Sequence, residues 1–395
     1  MTNEELLACA TELGTPTYVF DTQTFGARLD AVREIWGPKV DLCYSIKANP
    51  FLVPTALAHG YALEVCSPGE LAICERDGVD PARIVYSGVC KQAKDVREAL
   101  RFGAGTFTAE SLGQLALVDA EAAAAGVRVP TLLRLNGGSQ FGMSREDLVH
   151  AVDHRDELAG CELVGIHYFV GTQRAKLKWQ QRELAMLAEL IDELRRDHGW
   201  RAQRLEYGPG LAVPLFEGQD FSDTLAPARD IAPGLAAMAD RVELQVEMGR
   251  FLATECGYYL AHVVDEKDNE DTSYAFIDGG MNHVTYFGQM MGMKEPCIRN
   301  LSHDKRVRAG EATGEARDWA LCGSLCTTAD VLVRKAPFAD LRVGDLLAFE
   351  NIGAYSVTEG IYLFLSRTMP AVALRDGRGV RVVREPMETW QNNCC

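Results

Sequence analysis

The sequence predicts a (β/α)8 barrel of the TIM type followed by a separate β domain, an α/β plus β architecture. Three observations predict it. Eight short apolar runs alternate with helix-like segments between residues 25 and 255. Glycines and polar residues gather at the C-terminal ends of those runs, where barrel enzymes assemble their sites. Past residue 255 the helical periodicity gives way to short strand-like runs punctuated by Gly, Pro and Asp.

The eight runs are 40–46, 62–66, 84–87, 104–107, 131–135, 163–169, 204–207 and 242–246. Between them, 110–126 and 176–198 carry the alanine and leucine content and the spacing of helices. A doubly wound sheet gives the same local alternation. The barrel is favoured because Lys47, Ser67, Gly88, Asn136, Phe169–Gly171, Gly208–Gly210 and Glu247–Arg250 all follow strand ends. The β domain takes 256–395, with strands expected at 258–265, 274–278, 331–335, 346–350, 362–366 and 371–374, and Thr17–Phe20 within 1–24 adding another. The polar stretch 300–317 reads as a mobile loop.

A chain of 395 residues with 47% hydrophobic and 24% charged residues has ample core for two domains. The net charge of −16 argues against nucleic acid or an anionic membrane as partner. No basic-then-apolar leader opens the sequence, and no apolar run approaches the ~20 residues of a membrane span. The twelve cysteines are scattered, with neither zinc-ligand nor disulfide-framework spacing, so no metal is expected and a reducing cytoplasm is.

Tyr44-Ser45-Ile46-Lys47-Ala48-Asn49-Pro50 puts a lysine at the mouth of an apolar strand. Such an amine is placed to form a Schiff base with a carbonyl cofactor, desolvation there lowering its pKa. A surface lysine is the plainer reading of Lys47 taken alone. Gly208-Pro209-Gly210 lets backbone approach an anion closely, although such a tripeptide is more often a simple turn. Glu247 could keep a pyridine nitrogen protonated and Arg250 could hold phosphate, or the two could be a solvated pair. Cys326, in Cys322-Gly323-Ser324-Leu325-Cys326-Thr327, is by itself best read as a small buried residue. Gly353-Ala354-Tyr355-Ser356 is equally ambiguous.

In order and spacing these pieces resemble the pyridoxal-phosphate enzymes of the alanine-racemase-type fold, specifically the diaminopimelate/ornithine/arginine decarboxylase family, from about residue 15 to 390. That family's Tyr-Ala-x-Lys-Ala-Asn is matched at 44–49, its Ser-x-Gly-Glu-Leu at 67–71 and its Gly-rich phosphate loop at 208–210. Its Glu-Pro-Gly-Arg is matched at 247–250, its cysteine loop around Cys326 and its Gly-Ala-Tyr at 353–355.

The resemblance implies a homodimer that uses pyridoxal 5'-phosphate. Lys47 would hold the cofactor as a Schiff base, and Glu247 would pair with its ring nitrogen. Thr172, Gly208, Gly210, Arg250 and Tyr355 would surround the phosphate. Cys326, arriving from the partner subunit, would return a proton after carbon dioxide leaves.

Departures from the family pattern bear on the substrate. The family's second histidine in Gly-x-His-x-His-x-Gly-Ser-Gln, which stacks on the cofactor, is Phe169 here, and an aromatic ring can still stack. Relatives that read a distal ammonium carry an acid after the cysteine, where this chain has Thr327. Asp278-Gly279-Gly280-Met281-Asn282-His283 leads into Val284–Gln289 instead of an Arg-Pro segment. These features resemble the branch acting on conjugated or carrier-bound amino acids, with Thr327, His283 and Glu359 as the substrate-binding candidates. Free meso-diaminopimelate is the alternative substrate. An amino-acid racemase or a non-catalytic regulator of the same fold are rivals of another class, disfavoured by the Cys326 loop and by the retained Lys47, Glu247 and Arg250.

Overall fold

Strands buried on both faces read as apolar runs and need a closed parallel sheet. The computed structural model, which describes residues 1–286, 293–311 and 314–395, shows that closure. After β1 (Thr17–Asp21) come β2 (Val40–Ser45), β3 (Ala62–Val65), β4 (Ile84–Tyr86), β5 (Thr106–Ala109), β6 (Val129–Arg134), β7 (Cys161–Phe169), β8 (Arg204–Gly208) and β9 (Glu243–Met248). From β2 to β9 each strand pairs in parallel with the next, and β9 pairs back onto β2, Cys43 opposite Glu247. This is the (β/α)8 barrel the alternation predicts. Cys43, Val85, Leu132 and Val164 pack together as a core cluster of its strands.

Helices Leu112–Ala124 and Leu177–Asp197 occupy the two segments expected from periodicity. Ser111 Oγ accepts the Gln114 amide at 3.1 Å and caps the first. The second buries Leu184, Leu187, Leu190, Ile191 and Leu194, one face at three- and four-residue spacing.

The chain divides into two units. One is Arg28–Val213 with Asp223–Phe251; the other is Met1–Ala27, Pro214–Ser222 and Leu252–Cys395. In the second unit β1 is joined by β10 (Gly257–Asn269), β11 (Thr272–Ile277), β12 (Ile298–Asn300), β13 (Ala316–Cys322), β14 (Val331–Ala339), β15 (Leu346–Phe349), β16 (Ala371–Asp376) and β17 (Gly379–Arg384). Among the described residues these form one sheet, with β1 between antiparallel β10 and parallel β16.

Three expectations are corrected here. Residues 362–366 form no strand: Phe364–Ser366 is a 3₁₀ turn, with Leu365 at φ 58°. The stretch 300–317 is not a loop, since Asn300 Oδ1 caps the His303 amide at 2.9 Å and opens helix Leu301–Arg308, and β13 starts at Ala316. Cys326, by itself best read as a small buried residue, is exposed, because it lies on the turn that follows the end of β13 at Cys322. Of the segment Val284–Gln289, residues 287–289 lie outside the described residues.

Candidate active site

In the barrel unit, Lys47 sits in a one-turn 3₁₀ segment, Ile46–Ala48, at the C-terminal end of β2. Asn49, in extended backbone, accepts the Phe51 amide at 3.1 Å and turns the chain away. Lys47 Nζ donates to Glu64 Oε1 and Oε2 at 2.9 and 2.8 Å, and lies 3.3 Å from Cys66 Sγ. The amine is therefore ion-paired as well as partly enclosed, its side chain keeping 37% of its exposure. Burial opposes charge on Glu64, but the Lys47 ammonium and the Cys66 and Ser45 hydrogen bonds outweigh it and hold this carboxyl below the usual range.

The Ser67–Leu71 motif has a local mechanical role. Ser67 Oγ accepts the Glu70 amide at 3.1 Å while Glu70 Oε2 accepts the Cys66 amide at 2.7 Å. These two bonds start helix Pro68–Arg76 and fix Cys66 beside the lysine.

Three further strand ends face the barrel mouth. Phe169, the last residue of β7, is registered opposite Gly208, the last of β8. A Cβ on Gly208 would lie 2.4 Å from Phe169 Cδ2 and 2.7 Å from Glu247 Oε1, so the ring and the carboxylate both rest on a glycine. Glu247 is buried; its Oε1 is 3.3 Å from His167 Nε2, and its Oε2 has no hydrogen-bond partner among the described residues. Gly210 has φ +60°, and a Cβ there would come within 1.7 Å of the Gly171 carbonyl oxygen.

Arg174 N–H donates to Gly210 O at 2.9 Å, and the Gln173 side chain brackets Val213 with bonds of 2.8 and 2.9 Å. Thr172 is thus held on a loop stitched to the glycine turn. Arg250 is buried directly after β9, and Gly249 permits close approach to Lys47's own turn, its Cβ position being 2.9 Å from Ala48 Cβ.

An amine at a strand end, a buried carboxylate with an unmet oxygen, an aromatic ring and a side-chain-free glycine turn fit a planar, phosphorylated, nitrogen-containing aldehyde.

The other unit carries the remaining candidates. Cys326 and Thr327 are exposed on a tight turn, Thr327 N–H donating to Leu325 O at 2.8 Å and Asp330 N–H to Thr327 O at 3.1 Å. Asp330 anchors that turn to the Asp278–His283 segment: its carboxylate accepts the Met281 and Leu325 amides, each at 2.8 Å. Tyr355 holds φ +70°, an unusual conformation for a residue with a side chain, and its carbonyl accepts the Thr358 and Glu359 amides at 2.7 and 2.9 Å. Glu359 is exposed.

His283, expected to meet substrate, is buried. Its Nδ1 bonds Tyr259 Oη at 2.9 Å and its Nε2 lies 3.0 Å from Asn282 Nδ2. Burial, followed by the positive charges of Arg384 and Arg367, lowers its pKa to about 3. His283 is thus neutral and largely enclosed, at the wall of a cavity also lined by Asp278, Ser324 and Arg367.

Sequence reasoning passed over Glu64, Cys66 and Glu206. A signal for the two glutamates was present: each is a charged residue inside a run whose neighbours demand burial on both faces, Ala62-Leu63-Glu64-Val65 and Leu205-Glu206-Tyr207.

Barrel, strand-end lysine and cradle together define a pyridoxal-phosphate-dependent enzyme. The family model of the pyridoxal-dependent decarboxylases, pyridoxal binding domain, matches residues 23–254, and the chain belongs to that family. It is 29% identical to the diaminopimelate decarboxylase of Pseudomonas aeruginosa, over 95% of this chain and 91% of that one. It is 25% identical to the L-glutamyl-[BtrI acyl-carrier protein] decarboxylase of Niallia circulans, over 96% and 93%. A crystal structure from Aquifex aeolicus superposes with a TM-score of 0.86 at 25% identity, covering 97% of this chain and 92% of that one. Among the described residues no helix is long and apolar enough to cross a membrane.

Proposed function

We propose that this decarboxylase removes the α-carboxylate of a modified or carrier-linked amino acid, at sites shared between the two chains of a cytoplasmic homodimer. The observation that carries the substrate reading is the neutral, exposed hydroxyl of Thr327 at a cavity of about 530 Å³. Tyr274, Phe276, Lys267 and Arg334 also line that cavity, and its one carboxylate, Asp330, is engaged by backbone amides. The cationic side chains of Lys267 and Arg334 suit a neutral or anionic extension and disfavour a distal ammonium. The Niallia relative, whose name specifies a carrier-protein-bound glutamyl substrate, supports the same reading. All twelve cysteines are free thiols, which suits a reducing compartment.

In this assignment Lys47 anchors the cofactor. Glu247 would pair with its ring nitrogen, Phe169 would stack on its ring, and Thr172, Gly208, Gly210, Arg250 and Tyr355 would hold the phosphate. When bound, pyridoxal phosphate supplies an electron sink for the pair left as carbon dioxide departs. Lys47 would yield its place to the substrate amine, and Glu64 would pair with the ammonium so released. Cys326 Sγ carries the proton that replaces the lost carboxylate.

Gly208→Ala tests the cradle. The added methyl must displace Phe169 or Glu247, and overpacking of this kind costs about 1–3 kcal/mol. Cofactor affinity, read by titrating the visible absorbance, is expected to fall on the order of tenfold or more with the circular dichroism spectrum unchanged. Unaltered affinity would show that the ring does not rest on this glycine.

Product analysis by mass spectrometry, on free amino acids and glutamyl conjugates, tests the substrate. Lysine, ornithine and meso-diaminopimelate are expected to turn over poorly. A charge-assisted hydrogen bond of roughly 1.5–3 kcal/mol, absent here, is worth about ten- to a hundredfold in selectivity. One observation favours diaminopimelate instead: the exposed Glu359 carboxylate, four residues after Tyr355, could replace the missing acid. Efficient turnover of meso-diaminopimelate, lost in Glu359→Gln, would establish that second reading.

A further inference from the structure

Glu206 is fully buried in a strand of the barrel, and neither of its carboxyl oxygens has a hydrogen-bond partner among the described residues. An ionised carboxylate in that position would forfeit several kcal/mol of solvation with nothing returned. Its surroundings make matters worse. On β7 its registered neighbour is His167, and on β9 it is Gln245, two residues before Glu247. Glu206 therefore lies diagonal to Glu247 and one layer deeper in the barrel.

The titratable groups facing it are the carboxyls of Glu247 and Glu64, the thiol of Cys43 on β2, and His167. The cations Arg204 and Lys47 act more weakly, and the ammonium of Lys47 is already committed to Glu64. Two carboxyl groups this close in a dry interior do not both ionise.

We propose that Glu206 is a positioning residue of the cofactor site: it carries the proton of the Glu206–Glu247 pair, so that the negative charge stays on Glu247, beside the ring nitrogen. Burial first, then the charges of Glu247 and Glu64, hold Glu206 well above the usual carboxyl range, in keeping with the geometry. The cost is borne by the fold, and this group is of the kind retained at functional sites against stability. The inference rests on the assignment of Glu247 to the ring nitrogen. Its test reads the proton on Glu206, so it can fail without touching the substrate reading, and the reverse.

Linkage fixes the sign. Folded Glu206 keeps its proton, whereas an unfolded glutamate loses it near pH ~4.3. Folding takes up a proton above that pH. The contribution to stability is complete below the unfolded pKa and is lost as pH rises toward the folded one.

In cofactor-loaded enzyme, Glu206→Gln removes the proton linkage while keeping a neutral side chain of the same shape. The folding equilibrium constant of the variant relative to wild type is expected to rise about tenfold per pH unit from pH ~5 to ~8, seen as a widening gap in melting temperature. Infrared spectra of wild type at pH ~8 are expected to contain a protonated-carboxyl C=O stretch that the variant lacks. In a Glu247→Gln background the neighbouring charge is gone, Glu206 ionises more readily, and the gap narrows. Glu206→Met, similar in volume and without a proton, should show the same pH-dependent gap if the glutamine variant does not fold. A gap independent of pH, an infrared band unchanged by the substitution, or a gap indifferent to Glu247 would each overturn the proposal.

Discussion

Lys47→Ala protein is expected to be colourless and without measurable decarboxylation, while keeping its fold. The cofactor has a covalent anchor only if an uncharged amine can reach its aldehyde. The barrel unit presents Lys47 at a strand end with its Nζ against Glu64 and Cys66. Glu64 stabilises the lysine as its ammonium, the form the side chain takes when it is not bonded to an aldehyde. Removing the amine leaves Glu64 buried without its cation, so the variant should also lose some stability above the carboxyl's folded pKa. Below it, protonation relieves the unpaired charge. Borohydride reduction of cofactor-saturated wild type, followed by peptide mapping, should place a pyridoxyl group on Lys47. A label on another lysine, or none, would remove Lys47 from the site. Lys91 is the sharpest competitor, because burial lowers its pKa to about 8, but its Nζ donates to the Gly88 and Thr108 carbonyls at 2.6 and 2.7 Å.

How much of this was legible follows from which forces set each element. The barrel strands were readable because a parallel sheet covered on both sides demands apolar runs, and the glycine turns and Lys47 announced themselves at the run ends. Strand β13 was missed because its first half, Ala316–Asp318, is exposed and polar, so no apolar alternation marks it. Helix Leu301–Arg308 was missed for a similar reason: of its residues only Leu301 is buried, and the helix is set by the Asn300 cap and by Arg306 pairing with Asp345 at 2.6 Å.

Within the site, motif order gave Lys47, Glu247 and the Gly208–Gly210 turn. It could not give Glu64 or Glu206, whose importance comes from what lies across the barrel. His283 lies deeper than its motif position reveals, because such a position says nothing about depth. The chain folds it under Tyr259 and Asn282, where both ring nitrogens are occupied.

Cys326→Ala is expected to lower turnover by roughly 10²–10⁴-fold, the usual range for losing a positioned proton donor, with cofactor binding retained. The thiol stands exposed on a turn that Asp330 locks through the Met281 and Leu325 amides. The exposed sulfur is available to a neighbouring chain, as suits a group that acts in a neighbouring subunit's site. Inactive Lys47→Ala and Cys326→Ala chains, once mixed and allowed to exchange subunits, should then yield hybrid dimers. In each hybrid one site combines the intact Lys47 of one chain with the intact Cys326 of the other, while the second site has neither. Exchange at random makes half of the dimers hybrids with one working site of two, so about a quarter of wild-type activity is the ceiling. Cys326→Ser separates proton delivery from packing, since its hydroxyl keeps the shape but is a far weaker acid, and its rate should stay low. Absence of recovery despite demonstrated exchange would place both residues in one chain's site, and full activity of Cys326→Ala would remove the thiol from the reaction.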